Sequence, residues 1–241
     1  MKLEQLLERL EYTCVQGSLD REISGIANDS RQVVPGTLFF SIRGAVTDGH
    51  TYAAEVAEKG AVALLVEEPV EVPESVTVIQ VKDTRYAMAL VSAAWYDYPA
   101  EKLKVIGITG TKGKTTTTYM IKSILESAGH KVGLIGTIET IIGETHIPSS
   151  NTTPESVKIQ EYFHRMLEDG CDMAVMEVSS QGLMLNRTAG IPFEIGIFTN
   201  IEPDHIGPAE HKSFEDYMHC KGLLFRQCRI GIVNGDDEHL D

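Results

Sequence analysis

The stretch of sequence that decides the fold is VIGITGTKGKTT, residues 105–116. Its first half is apolar and predicts a buried strand, and a helical pattern follows over residues 115–128. Between them, Gly110 and Gly113 permit a tight turn in which successive backbone N–H groups point at one anion. The first turn of the helix adds a partial positive charge at the same place. The stretch therefore predicts a strand, a phosphate-binding loop and a helix in direct succession.

This loop predicts a site for ATP with Mg2+. Its lysine, Lys114, is placed to reach the β- and γ-phosphates, and the Thr115 hydroxyl is placed to ligate the metal ion. The loop departs from the strict GxxxxGK[ST] pattern, because the first glycine of that pattern would fall on Ile108. A glycine-rich turn without a ligand is the alternative interpretation. The predicted nucleotide-binding residues are Gly110, Thr111, Lys112, Gly113, Lys114, Thr115 and Thr116.

Around the loop, apolar runs of strand length alternate with helical patterns. This alternation predicts an α/β fold with a mostly parallel sheet and helices on both faces. The strands are predicted over residues 104–109, 132–135, 173–178, 195–199 and 230–233, and the helices over residues 115–128, 155–169 and 214–227.

The residues before the loop predict a separate, small α/β domain. Tyr98-Pro99 indicates a linker, which places the domains at residues 1–98 and 99–241. In the first domain, helices are predicted over residues 3–10, 52–59 and 85–96, and strands over residues 37–42, 61–66 and 76–81.

The composition narrows the class of protein. Hydrophobic residues make up 42% of the chain and charged residues 23%, as in ordinary globular proteins. The net charge of -14 argues against a protein that coats nucleic acid, because phosphate binding needs a basic face. The amphipathic, acidic N-terminus is unlike a signal peptide, and no apolar run is long enough to span a bilayer. We therefore expect a cytoplasmic protein that binds neither nucleic acid nor membrane.

The cysteines support the same compartment. None of them forms a CxxC pair or a zinc-finger spacing with histidine, so we expect free thiols in a reducing environment. The four cysteines are Cys14, Cys171, Cys220 and Cys228.

Two segments after the loop carry polar side chains at positions that favour ligand binding. EVSSQGL, residues 177–183, follows a predicted strand, so Glu177 lies near the edge where open α/β sheets bind ligands. A carboxylate there can ligate Mg2+. NTTP, residues 151–154, offers hydroxyl and N–H groups to phosphate or carboxylate oxygens. Taken alone, it is also a common helix-entry turn, with Thr153 as N-cap and Pro154 at the first helical position.

Three later residues are candidates for the same site. His205 follows another predicted strand within FTNIEPDHI, residues 198–206, and Lys221 lies on a predicted helix within YMHCKGLLF, residues 217–225. The guanidinium of Arg187 suits an anion, because it forms bidentate contacts. Taken singly, each of these side chains is more often an ordinary surface residue.

Taken in order, these motifs resemble those of the Mur ligases, and in particular of the UDP-N-acetylmuramoyl-tripeptide synthetases. The loop, the EVSS segment, the FTN…DH segment and the lysine-bearing helix follow the order of that family. DSR at residues 29–31 and DGH at residues 48–50 resemble its N-terminal domain, which holds uridine diphosphate. The resemblance covers essentially the whole chain.

Two positions and one segment depart from the family pattern. Lys112 stands where the family more often has asparagine, which adds a positive charge near the phosphates. Gln181 stands where it usually has histidine. The sequence after residue 206 also differs, so nothing is carried over to His211.

The resemblance implies a role for each matched residue. The implied catalytic residues are Lys114, Glu177, His205 and Lys221, the last as a carbamate formed on an unprotonated amine that is partly buried beside cations. The implied metal ligands are Thr115, Glu177, His205 and carbamylated Lys221. The implied substrate-binding residues are Ser30, Asn151, Thr152, Thr153, Ser179 and Arg187.

The implied activity is an ATP-dependent amide ligation in peptidoglycan synthesis. ATP phosphorylates a carboxylate of UDP-MurNAc-L-Ala-D-Glu, and an amino acid, meso-diaminopimelate or L-lysine, attacks the acyl phosphate. The family has a third, C-terminal domain that closes over the site, whereas this chain ends shortly after a predicted strand. We therefore expect a truncated chain that binds nucleotide weakly and ligates poorly by itself.

Two other hypotheses remain open. The substrate differs if the chain is another Mur ligase or resembles a folylpolyglutamate synthetase. The class differs if it is a non-catalytic module that binds a nucleotide sugar or ATP beside a partner chain, which predicts an unmodified Lys221. A GTPase is disfavoured because no guanine-reading NKxD motif is present.

Overall fold

The computed structural model describes residues 1–44, 47–204, 206–207 and 210–239. The chain divides into two compact units, Met1–Trp95 and Tyr96–Asp241. The predicted α/β class is confirmed, with mostly parallel sheets in both units. The assignment of residues 1–98 to a uridine-diphosphate domain and 99–241 to an ATP domain stays a prediction. Within the described ranges, no helix combines the length and apolarity that a bilayer crossing needs.

The first unit is built on a five-stranded sheet. Its strand order is β1-β5-β4-β3-β2, and every pair is parallel except β1 with β5. The strands are β1 Thr13–Gln16, β2 Gly25–Ala27, β3 Thr37–Phe40, β4 Ala61–Val66 and β5 Thr77–Gln80. The helices are α1 Leu3–Leu6, α2 Ala53–Glu58 and α3 Thr84–Trp95.

The predicted helix over residues 3–10 is wrong in its second half. Helix α1 ends at Leu6, and its buried residues are Leu3 and Leu6. The leucine period continues to Leu10, but the Leu10 N–H donates to the Leu7 carbonyl in a turn. The chain then enters β1, which pairs with β5. Pairing with a distant strand therefore overrides the local helical period.

The second unit is built on a seven-stranded sheet with the order β12-β11-β6-β10-β7-β8-β9. The five strands from β12 to β7 are parallel, and β8 and β9 continue the sheet as an antiparallel hairpin. The strands are β6 Lys104–Thr109, β7 Val132–Ile135, β8 Glu139–Ile142, β9 Thr145–Pro148, β10 Met173–Glu177, β11 Phe193–Phe198 and β12 Cys228–Val233. The helices are α4 Pro99–Lys102, α5 Lys114–Ser127, α6 Ser156–Glu168, α7 Ser180–Met184 and α8 Phe214–Gly222.

Helices cover both faces of this sheet, as predicted. Val105 packs in one apolar cluster with Phe163 of α6, whereas its neighbour Ile106 packs in another with Ile121 and Leu125 of α5. Consecutive residues of a strand point to opposite faces. Helices α5 and α6 therefore lie on opposite sides of β6.

Two local predictions need correction, and one element was missed. The hairpin β8–β9 was not predicted; it turns at Gly143, whose φ of +56° favours glycine. The predicted helix over residues 214–227 ends as an α-helix at Gly222 and continues as a 3-10 turn, Leu223–Arg226. The N-cap assignment in the alternative interpretation of NTTP is also wrong: Glu155, not Thr153, occupies the N-cap position of α6.

The parallel strands bring three loops to one edge of the sheet. Ile108 of β6 pairs with Glu177 of β10 on one side and with Ile197 of β11 on the other. The three strands therefore end at the same level, and the segments that follow them meet there. This is the edge at which open α/β sheets bind ligands.

Candidate functional site

The phosphate loop requires its two glycines. Gly110 has a φ of +148°, and a Cβ there would lie 2.0 Å from Thr199 Oγ1. Gly113 has a φ of +84° and occupies the N-cap position of α5. Both backbone conformations lie in the region that L side chains rarely adopt. The tight turn predicted from sequence is thus present.

The segment after β11 braces the loop. Thr111 N–H donates to Asn200 O at 2.9 Å, and Lys112 N–H donates to Asn200 Oδ1 at 2.9 Å. Thr199 Oγ1 donates to the Lys112 carbonyl at 2.8 Å. The FTN motif therefore acts as a scaffold for the loop, a role that only the strand order reveals.

The Lys112 charge does not stand alone beside the loop. Its ammonium forms an ion pair with Glu202 Oε2 at 2.5 Å, and its side chain is 69% exposed. Lys112 stands where the family more often has asparagine, and its added positive charge is offset by the Glu202 carboxylate of the bracing segment.

The loop lysine, Lys114, folds back over the loop. Its Nζ donates to the Gly110 carbonyl at 2.8 Å and to the Thr111 carbonyl at 3.1 Å. Burial lowers the pKa of Lys114, and the charge of Glu177 acts in the opposite direction.

Glu177 is a buried carboxylate held by two threonines. Its residue is 1% exposed. The Thr115 hydroxyl donates to Oε2 at 3.0 Å, and the Thr137 backbone N–H donates to Oε1 at 2.8 Å. The Thr137 hydroxyl donates to Oε2 at 3.0 Å. Thr115 and Glu177, both predicted as metal ligands, therefore lie side by side and offer the oxygen atoms that Mg2+ prefers.

Thr137 was missed by the sequence analysis. The available signal was its position just after the strand predicted over residues 132–135, at the same edge of the sheet. The predicted ligand His205 lies outside the described residues.

Lys221 lies at the base of the loop. The residue is 2% exposed, its Nζ donates to the Gly110 carbonyl at 2.8 Å, and it stands 4.4 Å from the centre of the Tyr217 ring. Burial lowers the pKa of Lys221 to about 7, helped by the charge of Lys114 and opposed by that of Asp204. A substantial fraction of this amine is therefore unprotonated near neutral pH, as carbamate formation requires.

A cavity of about 150 Å³ opens beside the loop. It brings together the loop lysine and every substrate-binding residue predicted between positions 151 and 187. Its lining residues are Lys114, Asn151, Thr152, Thr153, Ser179, Ser180, Gln181 and Arg187.

The wall of this cavity is tied to the strand that bears Glu177. The Thr153 hydroxyl donates to the Glu177 carbonyl at 3.0 Å and accepts from Ser179 N–H at 2.9 Å. Arg187 donates to the Thr153 carbonyl at 3.0 Å and pairs with Glu155 at 2.8 Å. The predicted anion-binding arginine therefore already has one carboxylate partner.

Ser30, the remaining predicted substrate residue, lies in the first unit. It begins a 3-10 turn, Ser30–Gln32, that is capped by the Asp29 carboxylate. Its carbonyl accepts from Lys59 Nζ at 3.0 Å.

Two groups of described residues place three ligand-type atoms within 4.8 Å of one another. In the first unit, the group Asp48, His50 and Glu68 is already engaged: His50 Nδ1 meets Asp48 at 2.6 Å, and His50 Nε2 accepts from the Glu67 N–H at 2.9 Å. In the second unit, the group is His211, Asp216 and Cys220, and His211 bonds to Ser180 at 2.8 Å. All four cysteines are free, as predicted.

The parallel sheet and its glycine-rich loop define a P-loop α/β protein. The family model of the Mur ligase middle domain matches residues 108–241, and that of the Mur ligase family catalytic domain matches residues 22–96. The chain belongs to the Mur ligase family, as the motifs predicted.

Curated relatives agree with this membership. The chain is 48% identical over 240 residues to UDP-N-acetylmuramoyl-L-alanyl-D-glutamate--2,6-diaminopimelate ligase 1 of Clostridium acetobutylicum, covering 99% of this chain and 49% of the relative. It is 47% identical over 239 residues to the corresponding ligase of Clostridioides difficile, with the same coverage. The chain thus spans about half the length of the curated relatives it matches.

Solved structures show the same fold. A UDP-N-acetylmuramoyl-L-alanyl-D-glutamate--2,6-diaminopimelate ligase superposes with a TM-score of 0.83 at 26% identity, covering 99% of this chain and 48% of that one. MurF from Acinetobacter baumannii superposes with a TM-score of 0.65 at 25% identity, covering 98% and 49%.

Replacing Thr137 tests the hydrogen bonds to Glu177. We expect Thr137→Val to lower the free energy of unfolding by about 1–3 kcal/mol, because a buried carboxylate loses a hydroxyl donor. Thr137→Ser keeps the hydroxyl and should stay near wild type. Urea unfolding followed by circular dichroism measures both. Equal stability of the two variants would contradict this role.

The depressed pKa of Lys221 predicts a pH-dependent stability. In the unfolded chain the amine has its ordinary pKa of 10.5, against about 7 when folded. Between these values the unfolded state binds more protons, so this lysine makes stability rise with pH, by up to about 1.4 kcal/mol per pH unit. The penalty of burying the charge is fully present below pH 7.

Urea unfolding from pH 6.5 to 9.5 in CO2-free buffer measures this rise. The unfolding free energy of wild type minus that of Lys221→Met should rise from pH 6.5 to 9.5, because the variant cannot titrate at this position. A difference that stays flat over these pH values would show that the amine keeps its ordinary pKa.

Proposed function

We propose that this chain carries the nucleotide and acceptor sites of an ATP-dependent ligase that adds the third amino acid to UDP-MurNAc-L-Ala-D-Glu. The observation that carries the proposal is the shared cavity. The phosphate-loop lysine, Lys114, lines it together with Thr152, Ser179 and Arg187. A phosphoryl donor and an anionic acceptor can therefore meet there.

The loop from Gly110 to Thr116 is proposed to hold the phosphates of ATP with Mg2+. The conformations of both glycines and the helix that starts at Lys114 suit an anion. Thr115 and Glu177, already 3.0 Å apart, suit a hard cation, and we assign His205 and carbamylated Lys221 to the same metal sites. When bound, ATP supplies the phosphoryl group that activates the acceptor carboxylate as an acyl phosphate.

The residues of the chain bind and orient the reactants. Lys114 is proposed to stabilise negative charge at the transferred phosphoryl group, since its ammonium bonds to the loop and the residue lines the cavity. Asn151, Thr152, Thr153, Ser179 and Arg187 are proposed to hold the acceptor. Their hydroxyl, amide and guanidinium groups suit carboxylate and phosphate oxygens.

The incoming amino acid is proposed to be 2,6-diaminopimelate. The support is that two relatives, 48% and 47% identical to this chain, are both named as diaminopimelate ligases. Ser30, on the first unit, is proposed to contact the uridine diphosphate of the acceptor. The full reaction is proposed from relatives of which this chain spans about half the length.

Binding of the acceptor tests the substrate class. Isothermal titration calorimetry of the chain should show binding of UDP-MurNAc-L-Ala-D-Glu but none of a folate. Arg187→Ala should lower the affinity for the acceptor by about tenfold to a hundredfold, because a charge-assisted contact is lost. Arg165→Ala is the matched control, since Arg165 is a half-buried arginine of α6 outside the cavity. Preference for the folate would replace the substrate proposed here.

The carbamate on Lys221 is tested by mass spectrometry in bicarbonate buffer. In the modification, the unprotonated Nζ attacks CO2, an N–C bond forms and one proton is released. We expect a labile mass increase of one CO2 that maps to the Lys221 peptide and is missing in Lys221→Ala. An unmodified wild type would favour a non-catalytic binding module.

A further inference from the structure

The side chain of His211 lies fully buried next to the proposed acceptor cavity. The residue is 0% exposed and comes just before helix α8, which carries Lys221. Its Nε2 lies 2.8 Å from Ser180 Oγ, and Ser180 is one of the residues that line the cavity. Ser180 is itself only 4% exposed. A hydrogen bond in such an enclosed place strongly restricts both side chains.

The residue before Ser180 is also held by hydrogen bonds in the cavity wall. Ser179, the preceding residue, caps helix α7 by accepting the Gly182 N–H at 3.0 Å, and its own N–H donates to Thr153. The start of the short helix α7 is therefore held by two hydrogen bonds, one to Thr153 and one to His211.

The surroundings of His211 connect it to the phosphate loop. Its ring packs on Tyr217 with 5.1 Å between ring centres, and the Tyr217 hydroxyl lies 3.1 Å from Thr111 Oγ1. The Asp216 carboxylate is 3.6 Å from His211 Nδ1, too far for a hydrogen bond. It instead accepts the Lys212 N–H at 3.0 Å. Ser180, His211 and Asp216 thus form no charge relay, and the firm link of the imidazole is to Ser180.

We propose that His211 is a positioning residue for acceptor binding: its hydrogen bond to Ser180 holds the Ser179–Gln181 wall of the cavity against helix α8. This inference rests on the proposed function, because it assumes that the cavity binds the acceptor. The loop that is proposed to hold ATP is braced separately by the Asn200 segment. Loss of the His211–Ser180 hydrogen bond, with the ring contact to Tyr217 kept, therefore lowers the affinity for the acceptor and leaves the affinity for the nucleotide in place.

A double-mutant cycle tests the bond. His211→Phe keeps a ring against Tyr217 but removes both nitrogens, and Ser180→Ala removes the hydroxyl without adding volume. Calorimetry would measure the affinity of each variant for UDP-MurNAc-L-Ala-D-Glu and for ADP with Mg2+. Each single variant should bind the acceptor about threefold to tenfold more weakly, as expected for one hydrogen bond, and ADP within twofold of wild type. The double variant should lose no more than either single one.

Two further variants separate positioning from general stability. His211→Gln places an amide near the position of Nε2 and should restore most of the acceptor affinity. His130→Phe is the matched control: it removes a histidine hydrogen bond of similar length, 2.6 Å from His130 Nδ1 to Asp172, on the surface and outside the cavity. It should change neither affinity.

The outcomes distinguish this inference from the function it rests on. Equal weakening of acceptor and ADP, additive losses in the double variant, or no rescue by glutamine would overturn the role of His211 while leaving the proposed function intact. A wild-type chain that binds ADP but not the acceptor would overturn the proposed substrate, and the positioning role with it.

Discussion

The carbonyl oxygen of Gly110 is the point on which the candidate site depends. It accepts hydrogen bonds from two amino groups, Lys114 Nζ and Lys221 Nζ, each at 2.8 Å. Two full positive charges cannot share so small a buried space without a large electrostatic cost. The pKa of the deeper amine, Lys221, falls to about 7 as a result of burial and of the Lys114 charge. One backbone carbonyl thus joins the phosphate loop to helix α8 and holds the two lysines close enough for the charge of one to lower the pKa of the other.

That carbonyl is held in place by constraints on both sides. Gly110 cannot become another residue without striking Thr199, and Thr199 and Asn200 in turn hold the Lys112 backbone. The loop is thereby fixed against β11 by contacts within the chain itself. Such prior order reduces the entropy lost on binding. On the far side, Glu177 at the end of β10 holds Thr115 and Thr137, so that three strands contribute to one rigid edge.

The cavity beside the loop is built by different contacts. It depends on one buried hydroxyl, Thr153 Oγ1, which joins the NTTP turn to the end of β10. Arg187 closes this turn by binding the Thr153 carbonyl and Glu155. A motif that looks like a simple helix entry is therefore a wall of the site, and the helix begins only at Ser156. Phosphate loop and cavity share Lys114 and Glu177 but are braced by separate contacts.

The sequence by itself determined the phosphate loop, the parallel sheet around it and the family. These features are encoded locally: two glycines in a turn, apolar runs of strand length, and helical periods between them. Only the tertiary structure decided which side chains meet. Thr137 lies 40 positions from its partner Glu177, and His211 lies 31 from Ser180. Lys112 lies 90 positions from Glu202. No local pattern marks these contacts. The shortened first helix and the hairpin β8–β9 were likewise decided by strand pairing. The physical reason is that a turn or a period is a property of a few neighbouring residues. A buried contact, and the pKa shift it causes, exists only once the order of the strands has brought distant residues together.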